Sequence, residues 1–211
     1  MVHRWDVITV GNLSRNRYWG EGDDAPVRPV LCTCTLVQGA DFRLIVDPSV
    51  AGPERMAAEL DRRTGLDLSD VTHVFLTHEH GDHHAGLACF PEARWMAAPP
   101  AADVINASGR YARGVEPVSG RILEAIDAMP TPGHTASHHS LRFDCQGLSV
   151  VVAGDAVMTR DFWDERRGFF NSVDFTLAAA TIERLATLAD VVVPGHDNCF
   201  LTATGPAGRR G

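Results

Sequence analysis

Residues 71–83 read Val71-Thr72-His73-Val74-Phe75-Leu76-Thr77-His78-Glu79-His80-Gly81-Asp82-His83, and the segment changes character halfway. Its first half, residues 71–76, is β-branched and aromatic and predicts a strand. Its second half crowds imidazoles and a carboxylate into His78-x-His80-x-Asp82-His83. Neutral imidazole nitrogen and carboxylate oxygen suit zinc, manganese and iron, and no thiolate interrupts the set. His78 and His80 alternate as on extended chain and can reach one ion together, after which Asp82 and His83 turn toward a second. No long regular helix presents those four on one face.

The same arrangement recurs downstream. The run ending at Ala128-Met129 leads to Pro132-Gly133-His134-Thr135, Val150-Val151-Val152-Ala153-Gly154 ends in Asp155, and Asp190-Val191-Val192-Val193-Pro194-Gly195 ends in His196. Four apolar strands thus each deliver a potential ligand at the C-terminal end, and strands sharing a sheet would gather those ligands along one rim. Each residue alone has a plainer reading. His134 and His196 follow Pro-Gly as turn histidines do, and Asp155 after Gly154 suits a turn or an N-cap. Taken together the plain readings fail, because independent turns do not choose ligand types in one order. His84, His138 and His139 are expected to support the ligands or the fold, and His3 and His73 to be structural.

Around these motifs the chain predicts a mixed α/β protein. A strand over residues 5–10 precedes a polar loop from Gly11 to Pro29. Residues 30–37 and 42–46 form a hairpin signal around Gly39. Pro53 opens a helix to about Arg63 with Met56, Ala57 and Leu60 on one face and Gly65 at its end. Further strands are expected at 95–97, 124–129, 140–145, 148–153 and 190–193, with helices at 101–107 and 174–188. Leu177, Ile182, Leu185 and Leu188 are read as the apolar side of the last helix. The expected organisation is one domain over residues 1–201 and a loose tail over 202–211.

Composition narrows the function classes. With 211 residues, 45% of them hydrophobic, the chain can bury one sizeable core. A formal net charge of −8 opposes long-range steering of nucleic acid, although bound metals can supply a local positive field. Five cysteines without a CxxC pair (Cys32, Cys34, Cys89, Cys145 and Cys199) read as reduced thiols. No run approaches the ~20 apolar residues of a membrane span, and no signal-like segment opens the chain. A cytoplasmic protein with no membrane association is expected, and a homodimer is compatible with the sequence.

His78-x-His80-x-Asp82-His83, followed by His134, Asp155 and His196, resembles the full metal-binding pattern of the metallo-β-lactamase superfamily, in the family's order across almost the whole chain. The resemblance implies an α/β fold, the four-layer αββα sandwich with its metal site at one edge of two packed sheets. It implies two divalent ions, zinc first, with manganese or iron as alternatives. His78, His80 and His134 would hold one ion, Asp82, His83 and His196 the other, and Asp155 would bridge them. A hydroxide shared by the two metals would attack the substrate, with Asp82 orienting it and relaying its proton. Asp47 lies where related sequences place an aspartate that supports a liganding histidine, although it stands here in Asp47-Pro48-Ser49.

For the substrate, the stretch from Pro130 to His138 and the interval from Asp155 to His196 resemble acyl-homoserine lactonases and glyoxalase II-type thioesterases. One departure is that Met158 stands where lactonases carry a catalytic tyrosine, and a thioether donates no hydrogen bond. Ala189 to His196 resembles the small metallo-β-lactamase domain-containing proteins of animals, which points instead toward phosphodiester cleavage of RNA. The expectation is a metal-dependent hydrolase of a small ester, lactone or thioester, with a phosphodiesterase or ribonuclease as the alternative. Residues 159–176, with Phe162, Trp163, Phe169, Phe170, Arg160, Arg166 and Arg167, are expected either to wall the pocket or to pack onto the body or a dimer partner. Tyr18 and Trp19 mark a second candidate rim.

Overall fold

A computed structural model of the chain describes residues 1–22, 24 and 26–203. Two six-stranded sheets face each other. The first runs β1 (Val2–Thr9), β2 (Cys34–Gly39), β3 (Arg43–Val46), β4 (His73–Leu76), β5 (Arg94–Ala97) and β6 (Glu116–Pro117) in that spatial order. The second runs, from its other edge, β7 (Gly120–Ile122), β8 (Ile126–Pro130), β9 (His139–Cys145), β10 (Leu148–Gly154), β11 (Val191–Pro194) and β12 (Phe200–Leu201). Helices α1 (Pro53–Thr64) and α2 (Pro99–Ala107) cover the first sheet, and α3 (Arg160–Asp164) and α4 (Phe175–Leu188) cover the second.

The layering follows from alternation along strands buried on both faces, which therefore read as continuous apolar runs. In β4, Val74 and Leu76 pack with Met56 and Leu60 of α1 and Ile105 of α2, while Phe75 between them points into the inter-sheet core. In β10, Val150 and Val152 meet Val46, Phe75 and Leu141 between the sheets, while Val151 and Ala153 turn outward to Ile182 and Leu185 of α4. Each fully buried Leu, Met or Val side chain contributes roughly 1.5–3 kcal/mol. Three apolar layers result, so the four-layer αββα sandwich is the observed fold.

Local chemistry sets the element ends as expected. α1 starts on Pro53 and stops at Gly65, whose left-handed φ of 72° lets its N–H reach Asp61 O. β9 and β10 pair antiparallel across Gln146-Gly147, both at positive φ, the geometry of a two-residue hairpin turn. The last helix differs from the expectation in its inner face. Ala178, Thr181, Ile182 and Leu185 are buried there, whereas Leu177 is exposed and Leu188 half-buried. Ile182 and Leu185 face inward as expected, while the small Ala178 and Thr181 take the positions beside the loop that carries His134. Elements β6, β7, β12 and α3, of two to five residues each, are too short to leave a periodic signal.

The four ligand-bearing strands do not share one sheet. β4 belongs to the first sheet, and β8, β10 and β11 belong to the second. One rim still forms because the sheets meet there: His139 N–H at the start of β9 donates to Thr77 O just beyond β4, at 2.9 Å. Thr202 is buried, and its N–H donates to Asp190 O at 3.0 Å. Ala203 is exposed, and residues 204–211 of the expected loose tail lie outside the described residues.

Candidate metal centre

The loop after β4 carries His78, His80, Asp82 and His83, the loop after β8 carries His134, and Asp155 and His196 follow β10 and β11. All seven meet in two groups. Ligand-type atoms of His78, His80, His134 and Asp155 lie within 4.8 Å of one another, and so do those of Asp82, His83 and His196. Asp155 stands between the groups. Its Oδ2 is 3.2 Å from His134 Nε2 and 3.7 Å from His78 Nε2, while its Oδ1 is 3.1 Å from His83 Nε2 and 3.3 Å from His196 Nε2. Asp82 Oδ2 lies 3.5 Å from His196 Nε2.

Two close backbone approaches make this convergence possible. A Cβ on Gly195 would fall 1.9 Å from Asp155 Oδ1, so only glycine lets the β11 turn pass the carboxylate. Gly133, at φ 133°, would place a Cβ 2.4 Å from Ala178 N and Cα, so the His134 loop lies flush against α4. That loop is pinned from the same side: Val173 N–H donates to His134 O, Asp174 N–H to Gly133 O, and Thr181 Oγ1 to Pro132 O at 2.7 Å.

Hydrogen bonds to the far ring nitrogens fix the tautomers. The Asp47 carboxylate accepts from Thr77 N–H at 2.8 Å and Thr77 O–H at 2.7 Å. Its Oδ2 also lies 2.9 Å from His83 Nδ1, which must donate, so the neutral ring is the tautomer that offers Nε2. Thr77 Oγ1, having donated to Asp47, can only accept from His78 Nδ1 at 3.1 Å, so His78 Nε2 is bare as well. His196 Nδ1 faces two carbonyls, Asn12 O at 3.2 Å and Leu31 O at 3.1 Å, which frees its Nε2 in the same way. The expected support from Asp47 is therefore present, and that residue holds φ 52°, where aspartate is among the better tolerated side chains.

His138 is supporting rather than converging. Ser140 O–H donates to Ala153 O and accepts from Thr131 O–H, so Thr131 Oγ1 accepts from His138 Nδ1 at 2.8 Å. His138 Nε2 then accepts from Ala156 N–H at 3.2 Å and holds the backbone beside Asp155. His84 meets the Tyr111 hydroxyl at 2.6 Å, and His139 Nδ1 donates to Ser137 O. Glu79 accepts from Ser137 and Thr135, which ties the first ligand loop to the His134 loop.

The unmet polar atoms test whether this donor set suits cations. His78 Nε2, His83 Nε2 and Asp155 Oδ1 are buried, without a hydrogen-bond partner, and aimed into the same space. His80 Nδ1 also faces His134 Nε2 at 3.0 Å. Lone pairs brought this close repel unless a proton or a cation lies between them. Burial holds the imidazoles of His78 and His138 well below the usual histidine range and pushes His134 down to about 4. Burial alone would raise the Asp155 carboxyl, yet His83, His196 and His134 around it hold it well below the carboxylate range. Burial opposes charge on His83 and His196 as well, yet Cys32, Asp155 and Asp47 around His83, and Asp155 beside His196, raise both above the ordinary histidine range. The metal-free site therefore holds protons there that cations would displace, whereas His78 and His134 are already the neutral imidazoles that ligation requires. The residues fit two adjacent divalent cations.

Above this floor opens a cavity of about 880 Å³, bordered by Leu13, Arg15, Arg17, Val30, Met158 and Phe170 among others. The 159–176 segment divides between its two expected roles. Phe169 and Phe170 line the cavity, whereas Phe162 and Trp163 are buried in packing. Arg160, Arg166 and Arg167 do not border it, and the arginines that do are Arg15 and Arg17. In the Gly11–Pro29 rim, Trp19 is exposed and sits near Arg28, and the Tyr18 side chain lies outside the described part of the structure. Nothing in the sequence singled out Arg15 and Arg17, because Leu13-Ser14-Arg15-Asn16-Arg17 lies outside any strand and leaves no period to read. Cys32 lies under the site with its thiol toward Asp47 O and Asp82 O, and burial pushes that thiol up to about 12, so it is an inert donor. Met158 sits in the cavity wall beside Leu13 and Phe162.

A model of the metallo-beta-lactamase superfamily matches residues 27–196. Among curated proteins, metallo-beta-lactamase domain-containing protein 1 of Xenopus laevis is 32% identical over 173 residues, spanning 79% of this chain and 70% of that protein. A probable metallo-hydrolase of Mycobacterium tuberculosis is 31% identical over 153 residues, which cover 59% of this chain; the chain spans about half, 49%, of that relative's length. A hydroxyacylglutathione hydrolase of Cereibacter sphaeroides is 35% identical over 123 residues, 54% of this chain and 42% of that enzyme. The fold also superposes on a dizinc quorum-quenching lactonase in complex with a homoserine product, with TM-score 0.69, 16% identity, and coverage of 84% of this chain and 77% of the lactonase.

Proposed function

This chain belongs to the metallo-β-lactamase superfamily, and from that premise we propose that it is a metal-dependent hydrolase of a small ester, lactone or thioester. The observation that carries the reading is the pair of donor groups, His78/His80/His134 and Asp82/His83/His196, with one oxygen of Asp155 turned toward each. The ligand assignment we propose is that pairing, with Asp155 bridging and zinc the preferred occupant of both positions. Divalent cations held by these residues would supply Lewis acidity, activating a water toward ~7 in pKa and polarising the carbonyl.

The chain's own residues do the rest. Asp47 and Thr77 keep His83 and His78 in the tautomer that offers Nε2. Asp82, with its side chain about a third exposed at the cavity floor, orients the attacking water and takes its proton. Water's oxygen then bonds to the carbonyl carbon, the C–O or C–S bond breaks, and the leaving group takes up the proton. Met158 contributes an apolar wall and no hydrogen bond, so leaving-group stabilisation falls to other groups around the cavity. The hydrolysis of hydroxyacylglutathione and of acyl-homoserine lactone by relatives of this fold supports a carbonyl substrate. We place the reaction in the cytoplasm. Five unpaired cysteines support that setting, and among the described residues no helix is long and apolar enough to cross a membrane.

The test is elemental analysis together with a hydrolysis panel of acyl lactones, thioesters, aryl esters, a phosphodiester and single-stranded RNA, with His80→Ala alongside. Two metal equivalents and carbonyl turnover that His80→Ala abolishes are expected. Undiminished turnover by His80→Ala would sink the scheme, and turnover confined to the phosphodiester or RNA would replace the substrate class.

A further inference from the structure

We propose that Asn171 holds the leaving-group oxygen during hydrolysis, its side-chain amide donating to the alkoxide that departs as the acyl C–O bond breaks. The inference rests on the carbonyl-hydrolase reading above and narrows it to oxygen esters and lactones. Asn171 borders the cavity that opens over His80, Asp82, Asp155 and His196. It is exposed there, and among the described residues its amide makes no hydrogen bond.

The plain role of asparagine in a turn is to hydrogen-bond the backbone two residues on. Ser172 N–H donates to Phe169 O at 2.8 Å, which closes a turn with Phe170 and Asn171 at its corner. The N–H two residues beyond Asn171 belongs to Val173, and it donates instead to His134 O at 3.1 Å. The customary partner is thus taken by a ligand-bearing loop, and the amide keeps its donors and its acceptor for other use. The same bonds fix its place. Val173 and Asp174 N–H hold the carbonyls of His134 and Gly133, so the corner is fastened to the backbone of a proposed ligand. On its other side Gly168 packs against α4, where a Cβ would fall 2.7 Å from Ala178 Cβ.

The other side chains of the wall are less suited. Leu13, Val30, Met158, Phe169 and Phe170 offer no donor. Arg15 and Arg17 are engaged in interactions of their own. Ser14 is the remaining neutral donor, and its carbonyl is tied to Val27 and Arg28 of its own loop, not to a ligand loop. An alkoxide is the leaving group that most needs such a partner, because an alcohol is a weak acid and the departing charge sits on one oxygen. A thiolate is more stable and accepts hydrogen bonds weakly. The electron pair of the breaking C–O bond goes to the leaving oxygen, which Asn171 holds while it takes up the proton that Asp82 removed from the attacking water.

The experiment compares hexanoyl compounds on the zinc-loaded chain: the 4-nitrophenyl, phenyl and 2,2,2-trifluoroethyl esters, in order of rising leaving-oxygen basicity, and the S-phenyl thioester. The quantity read is kcat for each relative to kcat for the 4-nitrophenyl ester. A ratio within one preparation does not depend on the folded or metal-loaded fraction, so a variant that folds poorly still reports. Asn171→Leu keeps the side chain's size and removes its donors. It is expected to lower the trifluoroethyl ratio by about tenfold or more, the phenyl ratio by less and the thioester ratio hardly at all, as for a donor lost from a developing oxyanion. KM should change little, Asn171→Gln should restore part of the ratio, and elemental analysis should find wild-type metal content in Asn171→Leu. Ser14→Ala should leave the ratios unmoved. An unmoved trifluoroethyl ratio, an equal fall for the thioester, loss of metal, or a fall produced by Ser14→Ala instead overturns the proposal while leaving the hydrolase reading standing. A wild type that cleaves only the 4-nitrophenyl ester does the same. No hydrolysis of any of these compounds, nor of a lactone, overturns that reading as well.

Discussion

Replacing Asp47 by asparagine exchanges one carboxylate oxygen for an NH₂ group and should weaken one metal position. The carboxylate accepts three hydrogen bonds, from Thr77 N–H, Thr77 O–H and His83 Nδ1–H. An amide keeps its oxygen on Thr77 N–H and presents an NH₂ donor where Oδ2 stood. Thr77 can rotate its hydroxyl to accept, but His83 can accept at Nδ1 only by moving its proton to Nε2. That proton occupies the lone pair turned toward Asp155 and Asp82, at 3.1 Å and 3.9 Å. Asparagine also tolerates the left-handed φ of 52° at this position, so gross misfolding is not expected. Loss of such a supporting partner weakens metal binding by about 10–100-fold, equivalent to roughly 1.4–2.7 kcal/mol at 1.36 kcal/mol per tenfold. Titration against a chromophoric chelator at fixed pH should show one weakened site and one unchanged, and imidazole ¹⁵N shifts should show His83 in the Nε2–H form. Two sites of wild-type affinity in a folded Asp47→Asn protein would refute the tautomer argument.

Two further outcomes follow from the same geometry. Gly133→Ala places a methyl 2.4 Å from Ala178 backbone atoms at a φ of 133°, and backbone cannot yield as a flexible side chain can. A loss of about 1–3 kcal/mol or more is expected. That corresponds to a Tm lowered by about 2–12 °C in a chain of this size, with reduced metal content because the His134 loop must move. A wild-type melting curve would show that loop and α4 are not in close contact. For the metal-free protein, the imidazole of His134 is pushed by burial from the ordinary 6.5 down to about 4. A folded pKa below the unfolded one means its contribution is present above pH 6.5 and lost as pH falls through about 4. The stability difference between wild type and His134→Asn should therefore shift by about 3 kcal/mol across that window, as urea unfolding at several pH values would measure. A pH-independent difference would place His134 in solvent.

The sequence by itself determined the ligand types, their order and the elements that carry them. Histidines and aspartates at strand ends are legible because strand and turn are local, and because apolar runs such as Val150–Ala153 report burial on both faces. The spacing of His78, His80, Asp82 and His83 likewise depends on chain within one loop. Only the tertiary structure decided that β4 and β10 lie in different sheets, joined at the rim through Thr77 and His139. It also decided that Asn12 and Leu31 carbonyls set the tautomer of His196 from 165 or more residues away in sequence. The inner face of α4 belonged to Ala178 and Thr181 rather than Leu177, because a glycine loop had to pass close by. The cavity's arginines came from the β1–β2 loop for a related reason. A loop without periodicity takes its path from the surfaces it crosses, and those surfaces exist only once the sheets have packed.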